Sequence, residues 1–367
     1  MINGLQQIGI GVVELESRWK WYRQAFGMDV PIFDEAAKAP LMTRYTGGQV
    51  HSRRAVLALN MAGGAGFEIW QYTSRSPEPC AFDPTLGDLG LLAARMHCSS
   101  AGAAREKVLG AGVRPAEEVN CGPGGAGPEA GGGAAFFESQ PGPDGTEHLF
   151  VRDTAGLHFD LVPSGHRFAG SRPIGGPAGA LIGVSDIEAS LRFYRDTLGF
   201  DIVRYDETGV FDDLRPLPGG DLKLRRALLE RSAPPAGAFG ALLGPPSIEL
   251  IHAVDGRGRR IYEDRFWGDP GFIHLCFDIQ NGEALKERCA SHGFPFTVDS
   301  GESFDMGEAA GRFAYTEDPD GTLIEFVETH RIPILKKLGW YLDLKKRDGK
   351  PLPKPMVRLL GLARVKD

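Results

Sequence analysis

The sequence predicts an α+β protein assembled from four similar strand–helix–strands units, and three observations predict it. The chain repeats itself, the repeated segment carries helical apolar spacing, and every length change between the copies falls in a turn-like stretch. Glu14-Leu15-Glu16-Ser17 with Trp21-Tyr22-Arg23 and Gly27 recurs 172 positions later as Asp186-Ile187-Glu188-Ala189, Phe193-Tyr194-Arg195 and Gly199. Leu15, Trp19, Tyr22 and Phe26, matched by Ile187, Leu191, Tyr194 and Leu198, are spaced to share one helix face. Ser185 with Glu188 reads as a capping box, and Gly199 supplies the left-handed stop.

The register continues into strands. Arg53-Arg54-Ala55-Val56-Leu57 matches Arg225-Arg226-Ala227-Leu228-Leu229, and at offset 181 Phe67-Glu68-Ile69 matches Ile248-Glu249-Leu250. Gly90 and Gly112 match Gly271 and Gly293. Beyond a Gly-rich loop around Cys121 to Gly133, Asp153-x-x-Gly156-x-x-x-Asp160 matches Asp318-x-x-Gly321-x-x-x-Glu325 at offset 165. Helices are expected at Ala103 to Leu109 and Glu283 to Cys289. The organisation predicted is a first domain over 1–165, a Gly/Pro-rich linker over 166–177, a second domain over 178–330 and a basic arm over 331–367.

Composition narrows the function. The 367 residues carry a net charge of −7, and the tail after His330 holds 11 Lys/Arg against 3 Asp, which leaves −15 on residues 1–330. Such a body does not suit nucleic acid, whose phosphates need clustered positive charge. Five cysteines without a Cys-x-x-Cys pair indicate neither a disulfide framework nor a thiolate zinc site. No basic-then-apolar leader and no long uncharged apolar stretch occur, so a cytoplasmic protein without integral membrane association is expected. Gly122 to Gly127 formally matches G-x-G-x-x-G, but Pro123 and Pro128 interrupt it and no helix opens there; no nucleophile elbow or Walker loop is present.

Three polar residues interrupt apolar strand runs in the second copy: Glu249 in Ser-Ile-Glu-Leu-Ile, His274 in Phe-Ile-His-Leu-Cys-Phe, and Glu325 in Thr-Leu-Ile-Glu-Phe-Val-Glu. A strand carboxylate is costly to bury unless paired, hydrogen-bonded or metal-bound. Two carboxylates and an imidazole suit one divalent ion, without choosing among Fe, Mn, Co, Ni and Zn. The other reading is an inherited, empty cup that binds a small molecule without chemistry. Cys276 shares the face of His274 and reads as a small buried hydrophobe, His252 lies on the opposite face from Glu249, and the Arg53-Arg54 and Arg225-Arg226 pairs read as rim charges.

Val184-Ser185-Asp186-Ile187-Glu188-Ala189-Ser190-Leu191-Arg192-Phe193-Tyr194, Gly271-Phe272-Ile273-His274 and Asp318-Pro319-Asp320-Gly321-Thr322-Leu323-Ile324-Glu325 resemble the vicinal oxygen chelate superfamily, which includes glyoxalase I, methylmalonyl-CoA epimerase, extradiol dioxygenases and bleomycin- and fosfomycin-resistance proteins. The resemblance implies a duplicated fold, four βαβββ modules paired into two cup-like half-barrels, each able to hold a metal on up to four side chains from first and last strands. Carried over, the second half offers Glu249, His274 and Glu325, with Gly179 where a first-strand ligand would stand; a water, a substrate oxygen or His166 could fill that place. The first half offers Gln7, Glu68 and Asp160, with Ala93 at the histidine position, and reads as a degenerate site whose Arg95 and His97 could hold an anionic group. One His with two Glu resembles the glyoxalase and isomerase branch, with Glu325 as ligand and base for enolate or enediolate chemistry on a small oxygen-rich substrate. Extradiol ring cleavage is the alternative, discriminated by oxygen uptake with catechols; a non-catalytic binding protein is another, discriminated by ligand binding that a chelator leaves unchanged. In the arm, Ile334, Leu335, Leu338, Tyr341 and Leu342 with Lys336, Lys337, Lys345, Lys346 and Arg347 predict an amphipathic helix packing on the acidic body or on a second subunit of a homo-oligomer, or lying on a membrane surface.

Overall fold

The computed structural model describes residues 2–118, 133–256, 258–301, 304–306, 309–335, 340–347 and 349–366. Most of the Gly-rich loop with Cys121, and Lys336, Lys337 and Leu338 of the arm, lie outside them. The first unit contains β1 (Ile2–Gly11), α1 (Leu15–Phe26), β2 (Val30–Lys38), β3 (Ser52–Leu59) and β4 (Gly66–Tyr72). The second contains β5 (Gly90–Cys98), α2 (Ala101–Gly110), β6 (Arg114–Pro115), β7 (Ala135–Glu138), β8 (Leu149–Arg152) and β9 (His158–Pro163). The third contains β10 (Ile174–Gly183), α3 (Ile187–Leu191), β11 (Ile202–Gly209), β12 (Leu224–Glu230), α4 (Gly240–Leu243) and β13 (Ser247–Ala253). The fourth contains β14 (Gly271–Ile279), α5 (Gly282–Ser291), β15 (Val298–Asp299), β16 (Phe304–Met306), β17 (Ala309–Glu317) and β18 (Leu323–Leu335); β19 (Trp340–Asp343) and α6 (Lys354–Arg358) follow.

These units form two curved sheets, and the pairing crosses the repeat. β1 runs antiparallel to β14 and parallel to β4, so the first unit joins the fourth in a sheet of ten described strands, ordered β15-β17-β18-β14-β1-β4-β3-β2 with β16 paired to β17 and β19 to β18 beside this path. β10 runs antiparallel to β5, so the third unit joins the second in a nine-stranded sheet. Each cup therefore draws one unit from each half, which replaces the expected pairing within 1–165 and within 178–330. The halves are clasped internally by another device. Tyr22 Oη on α1 donates to Asp153 at 2.9 Å, and Tyr194 Oη, on the π-helical turn that continues α3, donates to Asp318 at 2.9 Å.

Local chemistry matches the repeat closely. Gly27 and Gly199 end their helices at φ 70° and 79°, the left-handed conformation that glycine adopts without a Cβ clash. The α3 cap differs from the expected one: Asp186 accepts from the amides of Glu188 and Ala189, while Ser185 Oγ donates to Asp320. Strand alternation places Ile8, Ile10, Phe67, Ile69, Leu275, Phe277, Ile324 and Phe326 in a core shared with α1, α2, α3, α5 and the apolar side of the second sheet. Phe159 of β9 packs against Phe26 of α1 and Phe272 of β14, tying the sheets together.

The arm departs from the predicted helix. Ile334 and Leu335 end β18, and β19 turns back to pair with it. A pairing edge was available there, and main-chain hydrogen bonds to it replace those of a helix. The remaining arm packs on its own body, with Leu344, Leu352 and Val357 against Val30, Leu59, Met61, Phe168 and Leu242. Residues 174–177 of the expected linker already belong to β10. Among the described residues no helix is long and apolar enough to cross a membrane.

Candidate metal centre

The period of two that buries the apolar residues turns their neighbours into the cup. In the first cup these are Gln7 on β1, Glu68 on β4, His274 on β14 and Glu325 on β18, one donor from the first and last strand of each contributing unit. The Asp-x-x-Gly turn sets the last of them: Asp318 Oδ1 accepts from the amides of Asp320 and Thr322, Gly321 adopts φ 89°, and the strand opens with Glu325 facing inward. Asp153 forms the same turn ahead of Asp160.

The four side chains converge. His274 Nε2 lies 3.0 Å from Glu325 Oε2 and 3.5 Å from Glu68 Oε2. Gln7 Nε2 lies 3.0 Å from Glu68 Oε2 and 3.4 Å from Glu325 Oε2. An ion that holds its donors at about 2.0–2.2 Å sets neighbouring donors about 3.0–3.5 Å apart. The spacings of His274 from the two carboxylates thus fit the edges of one coordination polyhedron, while the Gln7 amide donates hydrogen bonds to both carboxylates. His274 is fully buried, and neither ring nitrogen makes an aligned hydrogen bond, so Nε2 approaches both carboxylates as a converging donor. In the metal-free protein, burial works against the imidazolium, but Glu325 and Glu68 outweigh it and raise the His274 pKa to about 9. Burial also works to raise the Glu68 carboxyl, yet His274 and Arg53 hold it below the usual range. Glu68, His274 and Glu325 are a buried group able to hold a metal, with the Gln7 carboxamide beside them.

Aromatic residues that the repeat did not single out wall this cup. Tyr315 on β17 stands in register with Glu325 and sets its ring edge-on to His274 at 5.6 Å. Trp70 and Trp267 meet at 4.8 Å, and Trp267 reaches in from the β13–β14 connection, its amide held by the Tyr45 carbonyl. Gly9 makes room for the imidazole: a Cβ there would overlap the His274 ring, 2.7 Å from Nδ1. Gly9→Ala is accordingly expected to displace the ring and weaken metal binding by about tenfold or more, with titration of Co2+ as the measurement; unchanged affinity would show that the ring position is not what glycine protects.

The second cup holds Glu249, and its chemistry is different. Glu249 is fully buried, accepts from Arg226 Nε at 2.7 Å and Tyr205 Oη at 2.8 Å, and pairs with Arg95. Arg95 Nε also meets Asp160 at 3.0 Å, His148 Nδ1 lies 2.8 Å from Asp160, and Arg226 bonds Asp213 at 2.8 Å. Burial raises the Glu249 pKa, but Arg226 and Arg95 prevail and hold it at about 2. The two remaining ligand positions are Gly179 and Ala93, which carry no donor, and a Cβ at Gly179 would overlap the Ser247 carbonyl. Guanidinium groups take the place that an ion would need.

The expected grouping of Glu249 with His274 and Glu325 is therefore corrected: β13 and β14 lie in different sheets. The expected first-half site divides, Gln7 and Glu68 going to the metal cup and Asp160 to the ion-paired one. Arg226 is a buried plug in place of a rim charge, whereas Arg54 and Arg225 remain outside, paired with Asp34 and Asp206. Arg95 is neutralised, His97 bonds Ser164 at 2.7 Å, and His166 bonds the Leu242 carbonyl at 3.0 Å, so none of them completes a ligand set. His252 bonds the Val184 carbonyl, and Cys276 lies buried on the metal-cup face, 3.4 Å from Gln6 Oε1.

Paired βαβββ units lined by first- and last-strand donors define the chelating-cup class of fold. Residues 177–326 match the family model of the Glyoxalase/Bleomycin resistance protein/Dioxygenase superfamily. No curated protein sequence matches the chain. Glyoxalase I from Zea mays is similar in structure at 14% identity and a TM-score of 0.50, covering 89% of this chain and 92% of that one. A putative dioxygenase from Bacillus subtilis subsp. subtilis str. 168 is similar at 13% identity and a TM-score of 0.53, covering 100% and 97%. At these identities the likeness is one of fold. Residues 177–326 thus match this superfamily's model, and the chain as a whole shares the fold of these two structures.

Proposed function

We propose that the protein is a divalent-metal-dependent enzyme of the glyoxalase and isomerase type, moving a proton next to the adjacent oxygens of a small substrate. The observation that carries this reading is the convergence of Gln7, Glu68, His274 and Glu325 in one buried cup. Those four residues would hold the ion, which could be Fe, Mn, Co, Ni or Zn. When bound it supplies Lewis acidity that stabilises negative charge on neighbouring substrate oxygens. One imidazole with oxygen donors departs from the two-His, one-carboxylate set typical of iron oxygenases, which favours proton transfer over ring cleavage.

The chain's own part follows from its geometry. The Glu325 carboxylate takes the carbon-bound proton and returns it to the neighbouring carbon, while the hydroxyl proton passes from one substrate oxygen to the other, so that the protein ends each cycle unchanged. Gln7 and His274 flank Glu325 Oε2 and fix the orientation of the carboxylate. Trp70, Trp267 and Tyr315 exclude water from the same space.

The test is exchange of the α-proton of a small hydroxyketone with solvent deuterium, followed by NMR on protein loaded with each metal. Exchange is expected in the wild type, and Glu325→Gln is expected to slow it by about a hundredfold or more while circular dichroism shows the fold retained. Wild-type exchange in the variant would remove Glu325 from the mechanism.

A further inference from the structure

We propose that the C-terminal segment after β19 is a docking surface for an anionic lipid membrane. The segment is built as a fixed platform. Leu352 and Val357 are buried in the body, the Leu352 amide donates to the Ala238 carbonyl at 2.9 Å, the Val365 amide donates to the Asp29 carbonyl at 2.9 Å, and Arg364 Nε meets Asp29 Oδ1 at 3.2 Å. With its inner side pinned at both ends, the outer side of α6 and of the 3-10 turn Leu359–Ala363 has a set composition.

That side is apolar at its centre and basic around it. Leu359 is 60% exposed and Leu362 83% exposed, while Lys354, Arg358 and Lys366 are exposed beside them in sequence. Single exposed leucines are ordinary. Two on one short turn, on the side away from the core that Met356, Val357 and Leu360 pack against, present apolar surface together. From Leu344 to Lys366 the chain has eight Lys/Arg and one Asp, against a net −15 on residues 1–330.

An anionic bilayer satisfies both features at once. Its headgroup charge attracts the cations, and the boundary beneath accepts the leucine side chains. Nucleic acid would use the cations but leave the leucines in water. The acidic body, repelled by the same surface, would stand off it, so the protein would dock with this segment downward.

Sedimentation of the full chain with vesicles tests the proposal. Binding is expected to phosphatidylcholine vesicles containing phosphatidylserine at about 0.1 M salt, with little to phosphatidylcholine alone, and loss at about 0.5 M salt. Leu362→Asp and the separate variant Arg358→Glu should each weaken binding by about tenfold; both side chains are exposed, and thermal melting checks that the fold is kept. The proposal is overturned if neutral vesicles bind equally, if no vesicle binds, or if Leu362→Asp binds like the wild type. It is likewise overturned if sedimentation equilibrium shows a dimer that Leu362→Asp dissociates, which would make this face a contact between copies, or if duplex DNA binds independently of the leucines.

Discussion

Glu249→Ala is expected to destabilise the protein by about 3–5 kcal/mol, the cost of leaving buried charge uncompensated, and to leave the metal content of the folded fraction unchanged. Removing this carboxylate strands the fully buried Arg226 and the buried Arg95, each of which has, among the described residues, one other carboxylate partner, Asp213 and Asp160 respectively. Urea unfolding monitored by tryptophan fluorescence measures the first effect, and plasma mass spectrometry the second. A stable Glu249→Ala protein that has lost its metal would return Glu249 to the ligand set and refute the division into two cups. The pH dependence has a definite sign. Glu249 titrates at about 2 in the folded chain, below an ordinary glutamate, so its contribution is complete above the unfolded value of about 4.3 and is lost as pH falls toward 2.

Metal affinity should rise with pH by about tenfold per unit between pH 6.5 and 9. In the metal-free cup, Glu325 and Glu68 hold His274 as an imidazolium with a pKa of about 9, and an ion can use Nε2 only after that proton leaves. Below 9 each ion bound releases a proton, and above it the slope flattens. The same shift stabilises the metal-free fold most below the unfolded histidine value near 6.5, and this contribution is lost as pH rises through 9. Calorimetric titration with Co2+ in buffers of different ionisation enthalpy counts the protons. A flat affinity profile would mean that the ion displaces no proton from His274, and His274→Ala, which removes the proton and the ligand together, should bind at least about a hundredfold more weakly.

The candidate site was legible position by position and misread as an assembly. Apolar strand runs interrupted by a polar residue singled out His274 and Glu325, and the superfamily resemblance carried along the repeat added Gln7 and Glu68, each readable because alternation along a strand is a local property. They were then grouped by half. A signal for the observed grouping did exist in the sequence: uniting the first and fourth units collects four donors, and uniting the second and third leaves both donorless positions, Ala93 and Gly179, together. Gly9 is a second such signal, since its missing side chain is required only if His274 stands opposite. The filling of the second cup by Arg95 and Arg226 had no such signal, because Arg226 aligns in sequence with the exterior Arg54, whereas the strand register slips by one so that Arg225 takes the exterior place and Arg226 turns inward.

By itself the sequence determined the repeat, the α1 and α3 helices with their glycine stops, the Asp-x-x-Gly turns and the inward face of every donor strand. All of these follow from interactions within about a dozen residues: periodic burial, left-handed glycines and side-chain oxygens capping nearby amides. Only the tertiary structure decided which units share a cup, that one cup gathers Gln7, Glu68, His274 and Glu325 while the other closes on its own ion pairs, and that the end of β18 extends into a hairpin. Those outcomes rest on main-chain hydrogen bonds between strand edges, which are chemically alike in every unit, so the choice among partners falls to long-range packing such as the fit of His274 against Gly9 and of Gly179 against Ser247.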